Sequence, residues 1–218
     1  VADDEKNAVV VEVNSETDFV AKNEKFQSYV ADVAAQALTT SAADIDAFLA
    51  EPWALDTTKT VNEALAAQIA VIGENMHIRR FAQVKEENGF VASYTHMGGK
   101  IGVLVDVETD VVNDAVKEMA RNVAMQIAAA FPQYLDKNAV PKDTLDKEME
   151  ILRQQALNEG KPEAIVDKMV MGRIAKFYKE VCLVEQPFIK DQDKSVTKVT
   201  KEVSDKIGTE IKIAEFAR

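Results

Sequence analysis

Residues 9–22, VVVEVNSETDFVAK, are the most informative stretch of the chain, because a β-branched run leads there to an acidic residue followed by a bulky aromatic one. The apolar residues from Val9 to Val13 predict a strand. Apolar residues at helical spacing follow Lys22, at Phe26, Tyr29, Val30, Val33 and Ala37. The sequence therefore predicts a strand and a helix, with Asp18 and Phe19 at their junction.

This strand–helix unit occurs twice. Residues 16–18 and 108–110 are the same Glu-Thr-Asp tripeptide, 92 residues apart (108 minus 16), and each ends an apolar strand. The helix after the second tripeptide repeats the apolar face at an offset of 90 (116 minus 26), at Val116, Met119, Ala120, Val123 and Ile127. Two such units predict two related subdomains rather than one continuous sheet.

Further elements follow from spacing and turn residues. A helix is predicted from about Thr60 to Glu74, and strands at 90–95 and 100–107 are predicted to pair through a turn at Gly98-Gly99. Another helix is predicted near 196–206, and a last strand near 209–216.

Residues 143–184 predict an antiparallel helical hairpin, a projecting coiled coil, around Gly160 and Pro162. The expected stripe of the first helix is Leu145, Met149, Leu152 and Ala156, and that of the second is Ile165, Met169, Ile174, Phe177 and Val181. The whole pattern predicts an α+β fold in which each subdomain has a small antiparallel sheet and packed helices. We expect an N-terminal core subdomain at 1–89, a C-terminal core subdomain at 90–142 and 185–218, and the hairpin insertion at 143–184.

Charge and composition exclude several function classes. The net charge is −11, from 26 basic and 37 acidic residues, so we expect no direct binding to nucleic acid. Arg79-Arg80 and the lysines from 190 to 212 are interleaved with acidic residues, which favours a solvated mixed-charge face over a basic patch. No apolar run approaches the roughly 20 residues that cross a bilayer, and the polar first residues are not typical of a signal peptide. The single cysteine favours a reducing, cytoplasm-like compartment.

Residues for catalysis are sparse. The two histidines, His77 and His96, and Cys182 have no metal-ligand spacing, and Cys182 falls in an apolar helical stripe that is typical of an inert thiol. Gly98-Gly99-Lys100 lacks the Ser or Thr of a phosphate loop. We therefore expect a protein that is not an enzyme and has no cofactor or metal.

Asp18 and Phe19 have two interpretations. In one, Asp18 caps a helix that begins near Ala21 while Phe19 packs locally. In the other, Phe19 anchors a partner protein, because the second copy carries Val111 at the equivalent place and the junction does not need a large ring.

Three segments together resemble the translation elongation factor Ts family: residues 9–22, residues 72–80 (IGENMHIRR) and residues 160–188, which contain GKP, KMVMGR and QPF. They occur in the family's order and spread over nearly all of the chain. The resemblance implies a guanine nucleotide exchange factor for the GTPase elongation factor Tu.

The same resemblance implies roles for five residues. Asp18 and Phe19 would enter the GTPase domain beside its magnesium site and loosen Mg²⁺ and then GDP. Ile72 and Gly73 would lie at that interface, and His96 would contact a β-barrel domain of the partner. Ile72 as ordinary core and His96 as a polar hairpin end remain open, as does an adaptor of this fold that binds proteins without exchange activity.

Two further expectations concern the chain as a whole. The resemblance implies a small N-terminal helical module and a short helix after the last strand, which this sequence lacks, so we expect reduced affinity for elongation factor Tu. It also implies a cytoplasmic protein or one of an organellar matrix. The pattern leaves open the oligomeric state, the bacterial or organellar source and the role of the helical hairpin.

Overall fold

The computed structural model describes all 218 residues, Val1–Arg218. The chain has a mixed α+β fold with eight α-helices and small antiparallel sheets, which confirms the predicted fold class. It divides into two compact units, the first formed by Val1–Glu108 with Phe216–Arg218 and the second by Thr109–Glu215. The division falls after Glu108 rather than near residue 89, and the subdomain assignment stays a prediction. None of the helices combines the length and the apolar character that spanning a membrane requires.

The first unit begins with a long strand and ends with a hairpin. Its elements are β1 (Asn7–Ser15), α1 (Asp18–Ala21), α2 (Glu24–Thr39), α3 (Ile45–Ala50), β2 (Pro52–Trp53), β3 (Asp56–Thr60), α4 (Val61–Ile72), β4 (Met76–Lys85), β5 (Gly89–His96) and β6 (Ile101–Glu108). Strand β1 pairs antiparallel with β4, from Asn7 opposite Lys85 to Ser15 opposite Met76. The sequence did not predict β4 as a strand, because a bulge at Arg79 interrupts its alternation.

Helix α4 shows how local chemistry sets the boundaries of an element. Thr60 and Glu63 form a capping box at its start, each side chain accepting a hydrogen bond from the other's backbone N–H. Gly73 ends it in the left-handed conformation with φ of 85°, which L-residues rarely adopt. The predicted range of 60–74 was therefore nearly right, and Gly73 turns the chain into β4.

The predicted hairpin of β5 and β6 is confirmed. Its strands pair from Gly89 opposite Glu108 to His96 opposite Ile101. Three successive residues of the turn, Met97, Gly98 and Gly99, have φ of 53°, 67° and 91°. Two glycines lower the strain of this turn, since they adopt positive φ without a Cβ clash.

The core of the first unit lies under α2, α3, α4 and the β1–β4 pair. Phe48, Val33, Val61 and Met76 are completely buried there. The Phe48 ring packs on Phe81 with 5.2 Å between centroids. A second, smaller cluster of Ala8, Val84, Val91 and Leu104 joins β1 and β4 to the β5–β6 hairpin.

The second unit repeats the helix and short-hairpin elements and adds the helical pair. Its elements are α5 (Asp114–Ala130), a 3-10 turn (Lys137–Ala139), α6 (Lys142–Asn158), α7 (Glu163–Val181), a 3-10 turn (Leu183–Glu185), β7 (Pro187–Phe188), β8 (Asp191–Ser195), α8 (Val196–Ile207) and β9 (Lys212–Ala217). The last two residues of β9, Phe216 and Ala217, belong to the first unit, where β9 follows β6 in the sheet order β5-β6-β9.

Helices α6 and α7 form the predicted antiparallel pair, with Gly160 at φ of 73° in the turn. The stripe predicted for α6 is confirmed, since Ala156 is buried and Leu145, Met149 and Leu152 pack against the same cluster. The stripe predicted for α7 was right at Ile174 and wrong in its first turns. The buried face there is formed by Val166 and Val170, the residues that follow the predicted Ile165 and Met169, and Ile165 is 45% exposed. Apolar residues lie on more than one face of α7, so helical spacing alone fits two stripes.

The internal repeat extends further than the sequence analysis found. Residues 51–78 correspond to residues 186–213 at a constant offset of 135 (186 minus 51), so that β2, β3 and α4 match β7, β8 and α8. A buried glutamine supports the short hairpin in each copy. Gln36 donates to Pro52 O (3.0 Å) and accepts from Ala54 N–H (2.9 Å). Gln126 donates to Pro187 O (3.2 Å) and accepts from Ile189 N–H (2.7 Å).

Candidate functional site

A short helical turn follows β1, and we call residues 17–22 the Phe19 turn. Thr17 caps it, its Oγ1 accepting a hydrogen bond from Val20 N–H at 3.4 Å. Asn23 caps the next helix by accepting from Lys25 N–H at 2.8 Å. The interpretation that Asp18 caps one helix starting near Ala21 was therefore wrong. The chain makes two helices here, and each has its own polar cap.

Phe19 is the most exposed large hydrophobic residue of the chain. Its side chain is 88% exposed, and α1 contains no buried residue. Local packing of the ring, the other half of that interpretation, was thus also wrong. Burying a phenylalanine side chain stabilises a protein by about 1.5–3 kcal/mol, and Phe19 provides almost none of this to the free chain.

A carboxylate holds the start of the Phe19 turn from a distance of 57 residues in sequence. Glu74 Oε1 accepts from the Thr17 hydroxyl at 2.6 Å, and Glu74 Oε2 accepts from Thr17 N–H at 3.0 Å. Glu74 follows Gly73 directly, so the left-handed turn at the end of α4 carries this side chain to α1. The structure thus brings the segment of Ile72 and Gly73 to the segment of Asp18 and Phe19.

A second contact reaches the Phe19 turn from the β5–β6 hairpin. Lys100 Nζ lies 3.2 Å and 3.4 Å from the two carboxylate oxygens of Asp18. Both side chains are at least half exposed, so the ion pair contributes at most about 1 kcal/mol to folding. Its effect is to restrict where the Asp18 carboxylate lies.

The other three predicted residues have structural surroundings of different kinds. Ile72 is half-buried and packs against the core of the first unit, as its alternative interpretation proposed. Gly73 ends α4, and its N–H donates to Ile69 O at 2.8 Å. His96 is exposed at the end of β5, with its Nδ1 2.9 Å from the Tyr94 hydroxyl. It lies on the hairpin that carries Lys100 to Asp18.

These elements border a groove with a volume of about 840 Å³. Its lining includes Val10, Thr17, Phe26, Phe81, Lys100 and Ile101. On one wall Glu12 accepts hydrogen bonds from Arg79 at 2.8 Å and Arg80 at 2.6 Å, because the bulge at Arg79 brings both arginines to one carboxylate. The Arg79 hydrogen bond, with help from Arg80, lowers the pKa of Glu12 to about 2. The arginine pair is therefore neutralised in part, in line with the predicted mixed-charge face.

Groups suited to catalysis are not gathered at this site. No three or more His, Cys, Asp or Glu side chains lie together in a way that could hold a metal ion. Cys182, in the second unit, is completely buried, and burial raises the pKa of its thiol to about 11. What the site offers is an exposed aromatic ring on a turn that two charged side chains hold.

Thr17, Glu74 and Lys100 were not singled out by the sequence analysis. The signal for Glu74 was present in the repeat, because Thr209 occupies the equivalent position of the second copy. Lys100 had no comparable signal, since it was predicted only as the first residue of the strand at 100–107.

Comparison with known proteins agrees with the motif resemblance. The family model described as Elongation factor TS matches residues 16–218. A protein named Elongation factor Ts from Clostridium tetani (strain Massachusetts / E88) is 53% identical over all 218 residues, which cover 72% of that relative. The Elongation factor Ts proteins of Clostridium botulinum (strain Alaska E43 / Type E3) and Clostridium novyi (strain NT) are 50% and 45% identical over the same span, which covers 71% of each. The chain therefore belongs to the elongation factor Ts family of translation elongation factors.

Proposed function

We propose that this chain is a guanine nucleotide exchange factor that speeds the release of GDP from elongation factor Tu. The observation that carries the proposal is Phe19, which is 88% exposed on a turn fixed by Glu74 and Lys100. Membership in the elongation factor Ts family supports the choice of partner.

The proposed mechanism uses binding energy rather than bond chemistry. Phe19 enters a pocket of the GTPase beside its magnesium site, where burial of the ring supplies the anchoring energy. The turn is already ordered in the free chain, so little conformational entropy is lost when it binds. The Phe19 ring would displace elements of the GTPase that hold Mg²⁺, and the phosphates of GDP would then be held less tightly.

The negative charge of Asp18 contributes to the same loosening of Mg²⁺ and GDP. Asp18 adjoins Phe19 in the first turn of α1, so both side chains enter the partner together. In the free chain its carboxylate bonds to Lys100, which keeps it close to its binding position. A carboxylate placed beside a magnesium site would compete with the phosphate oxygens of GDP for the ion, and this would weaken the nucleotide complex.

Thermodynamic linkage accounts for turnover. A factor that binds the nucleotide-free GTPase more tightly than the GDP form must weaken GDP binding by the same factor. GTP then binds and displaces the factor in turn. We further propose that Ile72, Gly73 and the exposed His96 belong to the same binding surface, and that the protein works in the cytoplasm.

Release of a fluorescent GDP analogue from elongation factor Tu tests this proposal. Purified elongation factor Tu is loaded with mant-GDP and mixed with excess unlabelled GDP, with and without the chain. We expect the chain to accelerate the loss of fluorescence in proportion to its concentration. Binding without acceleration would contradict the proposal and is the result expected of an adaptor with this fold.

A further inference from the structure

We propose that Glu74 is the positioning residue of the Phe19 turn: its carboxylate holds the start of α1 and thereby orients the Phe19 ring for the partner. The proposal rests on the exchange function proposed above, and it deepens that function by assigning a residue that does not itself enter the GTPase.

The Phe19 turn needs an external support. Helix α1 has four residues, and so short a helix does not persist by its own hydrogen bonds. Packing supplies only part of this support, since no residue of α1 is fully buried and Val20 is only partly buried against the core. Polar contacts supply the rest, and those of Glu74 with Thr17 are the shortest that reach the turn from a distant part of the chain, at 2.6 Å and 3.0 Å.

We call the two hydrogen bonds from Thr17 to the Glu74 carboxylate the clamp, and their chemistry favours a strong contact. The Thr17 hydroxyl and N–H both donate to one ionised carboxylate, and charge-assisted hydrogen bonds of this kind are about twice as strong as neutral ones. Two bonds to one group also fix its orientation. The backbone of Thr17 sets the direction of α1. Holding Thr17 in place therefore orients the Phe19 side chain.

Glu74 is itself held firmly. It stands between Gly73, which ends α4, and the start of β4, where Met76 is completely buried. A side chain on so short a connection has little freedom to follow a moving turn. The clamp therefore ties the Phe19 turn to the core of the first unit.

The internal repeat provides an independent argument. At the offset of 135, Glu74 corresponds to Thr209, while the flanking Gly73 and Gly208 are both left-handed with φ of 85° and 72°. The second copy thus keeps the helix end but has no carboxylate at this position. Its Thr109, equivalent to Thr17, bonds to the backbone of Val111 instead, and no helix forms before α5. The carboxylate, the helical turn and the exposed ring occur together in one copy and are absent together from the other.

Hydrogen–deuterium exchange of the free chain tests the clamp without any partner. Glu74→Ala should speed exchange of the amides of Val20 and Ala21 about tenfold, the factor expected from losing roughly 1.4 kcal/mol of hydrogen bonding. Glu74→Gln should give a smaller change, because its amide can accept from Thr17 N–H and donate to the Thr17 hydroxyl. Glu16→Ala is the matched control, since it removes an exposed carboxylate from the neighbouring residue, and should change nothing. Unaltered exchange in Glu74→Ala would overturn the proposal.

A double-mutant cycle then connects the clamp to the ring. Glu74→Ala should lower stimulated mant-GDP release about tenfold, while the loss of the same hydrogen bonds lowers the thermal midpoint of unfolding by only a few degrees. In a chain that already carries Phe19→Ala, the same substitution should have no further effect, because Glu74 acts through the ring. Independent, additive losses would overturn the proposal, as would loss of the cooperative unfolding transition in Glu74→Ala. If the wild-type chain failed to stimulate GDP release, the proposed nucleotide-exchange function would be wrong. The hydrogen–deuterium exchange result would still show whether Glu74 holds the Phe19 turn.

Discussion

Two turns with the same Glu-Thr-Asp start have different structures in this molecule. In the first, residues 16–18 lead into a helical turn that exposes Phe19. In the second, residues 108–110 lead through a segment without helix to α5, and Val111 is half-buried. The shared Glu-Thr-Asp therefore does not by itself set the structure of the turn. The copies differ locally, with Phe19 in one and Val111 in the other, and at a distant position, where Glu74 bonds to Thr17 in the first copy and Thr209 is the equivalent residue of the second.

The features that the copies share are those of the scaffold. In both, a glutamine on the long helix inserts its side chain into the short hairpin and bonds to its backbone. The features that differ are those of the proposed binding surface. Changes to the shared features should therefore affect stability, and changes to the unshared ones should affect exchange.

The largest effect is expected from the shared glutamines. Gln126→Leu should lower the free energy of unfolding by about 3 kcal/mol, because it removes the buried hydrogen bond to Gln186 and leaves the part-buried Ile189 N–H without its acceptor. Gln36→Leu should cost about 2 kcal/mol, since Gln36 is less buried, at 9% exposed against 1%. Urea unfolding measures both. If either variant had the same free energy of unfolding as the wild type, its glutamine would not be part of the scaffold.

A smaller effect is expected at Glu12, and it depends on pH. The folded-state pKa of Glu12 is lowered to about 2 from 4.5, so its contribution to stability is present above pH 4.5 and is lost as the pH falls towards 2. Discounted for partial solvent exposure, Glu12→Gln should cost about 1 kcal/mol at pH 7. The difference between wild type and variant in urea unfolding should disappear near pH 2. A difference that is constant over this range would show that the arginine contacts do not stabilise the charged form.

The smallest effect on folding is expected at Lys100. Lys100→Met should change the free energy of unfolding by less than about 1 kcal/mol, because its ion pair with Asp18 is exposed. It should still slow mant-GDP release a few fold by freeing the Asp18 carboxylate. Lys59→Met is the matched control, since it removes a comparably exposed ion pair from the same unit. Equal rates of mant-GDP release with Lys100→Met and Lys59→Met would show that Lys100 has no role in nucleotide exchange.

Sequence patterns predicted the elements whose periodicity is simple. The buried faces of α2 and α5 followed from apolar spacing, and the β5–β6 turn followed from Gly98-Gly99. Strand β4 was missed because its bulge breaks the alternation at Arg79. The stripe of α7 was right at Ile174 but misplaced in the first turns of the helix, because apolar residues occupy more than one of its faces.

Fewer features of the candidate site could be predicted from such patterns. Phe19 was recognisable by its replacement with Val111 in the second copy, but the cap at Thr17 was not. The contact of Glu74 with Thr17 joins residues 57 apart, and no local periodicity reports a contact of that kind. Two signals could have marked Glu74, its place in the motif of residues 72–80 and the offset of 135 between the copies.

The central claim is that exchange depends on the ring at position 19 and on the first copy of the turn. Release of mant-GDP from elongation factor Tu should be measured with wild type, Phe19→Val, Val111→Phe and the double variant, each checked by thermal unfolding. We expect Phe19→Val to fold normally and to lose roughly thirtyfold in exchange, the effect of about 2 kcal/mol from a lost aromatic anchor. The double variant should be no better than Phe19→Val, because the second turn has no helix and no carboxylate clamp. Full exchange activity in Phe19→Val, or its recovery in the double variant, would contradict the account.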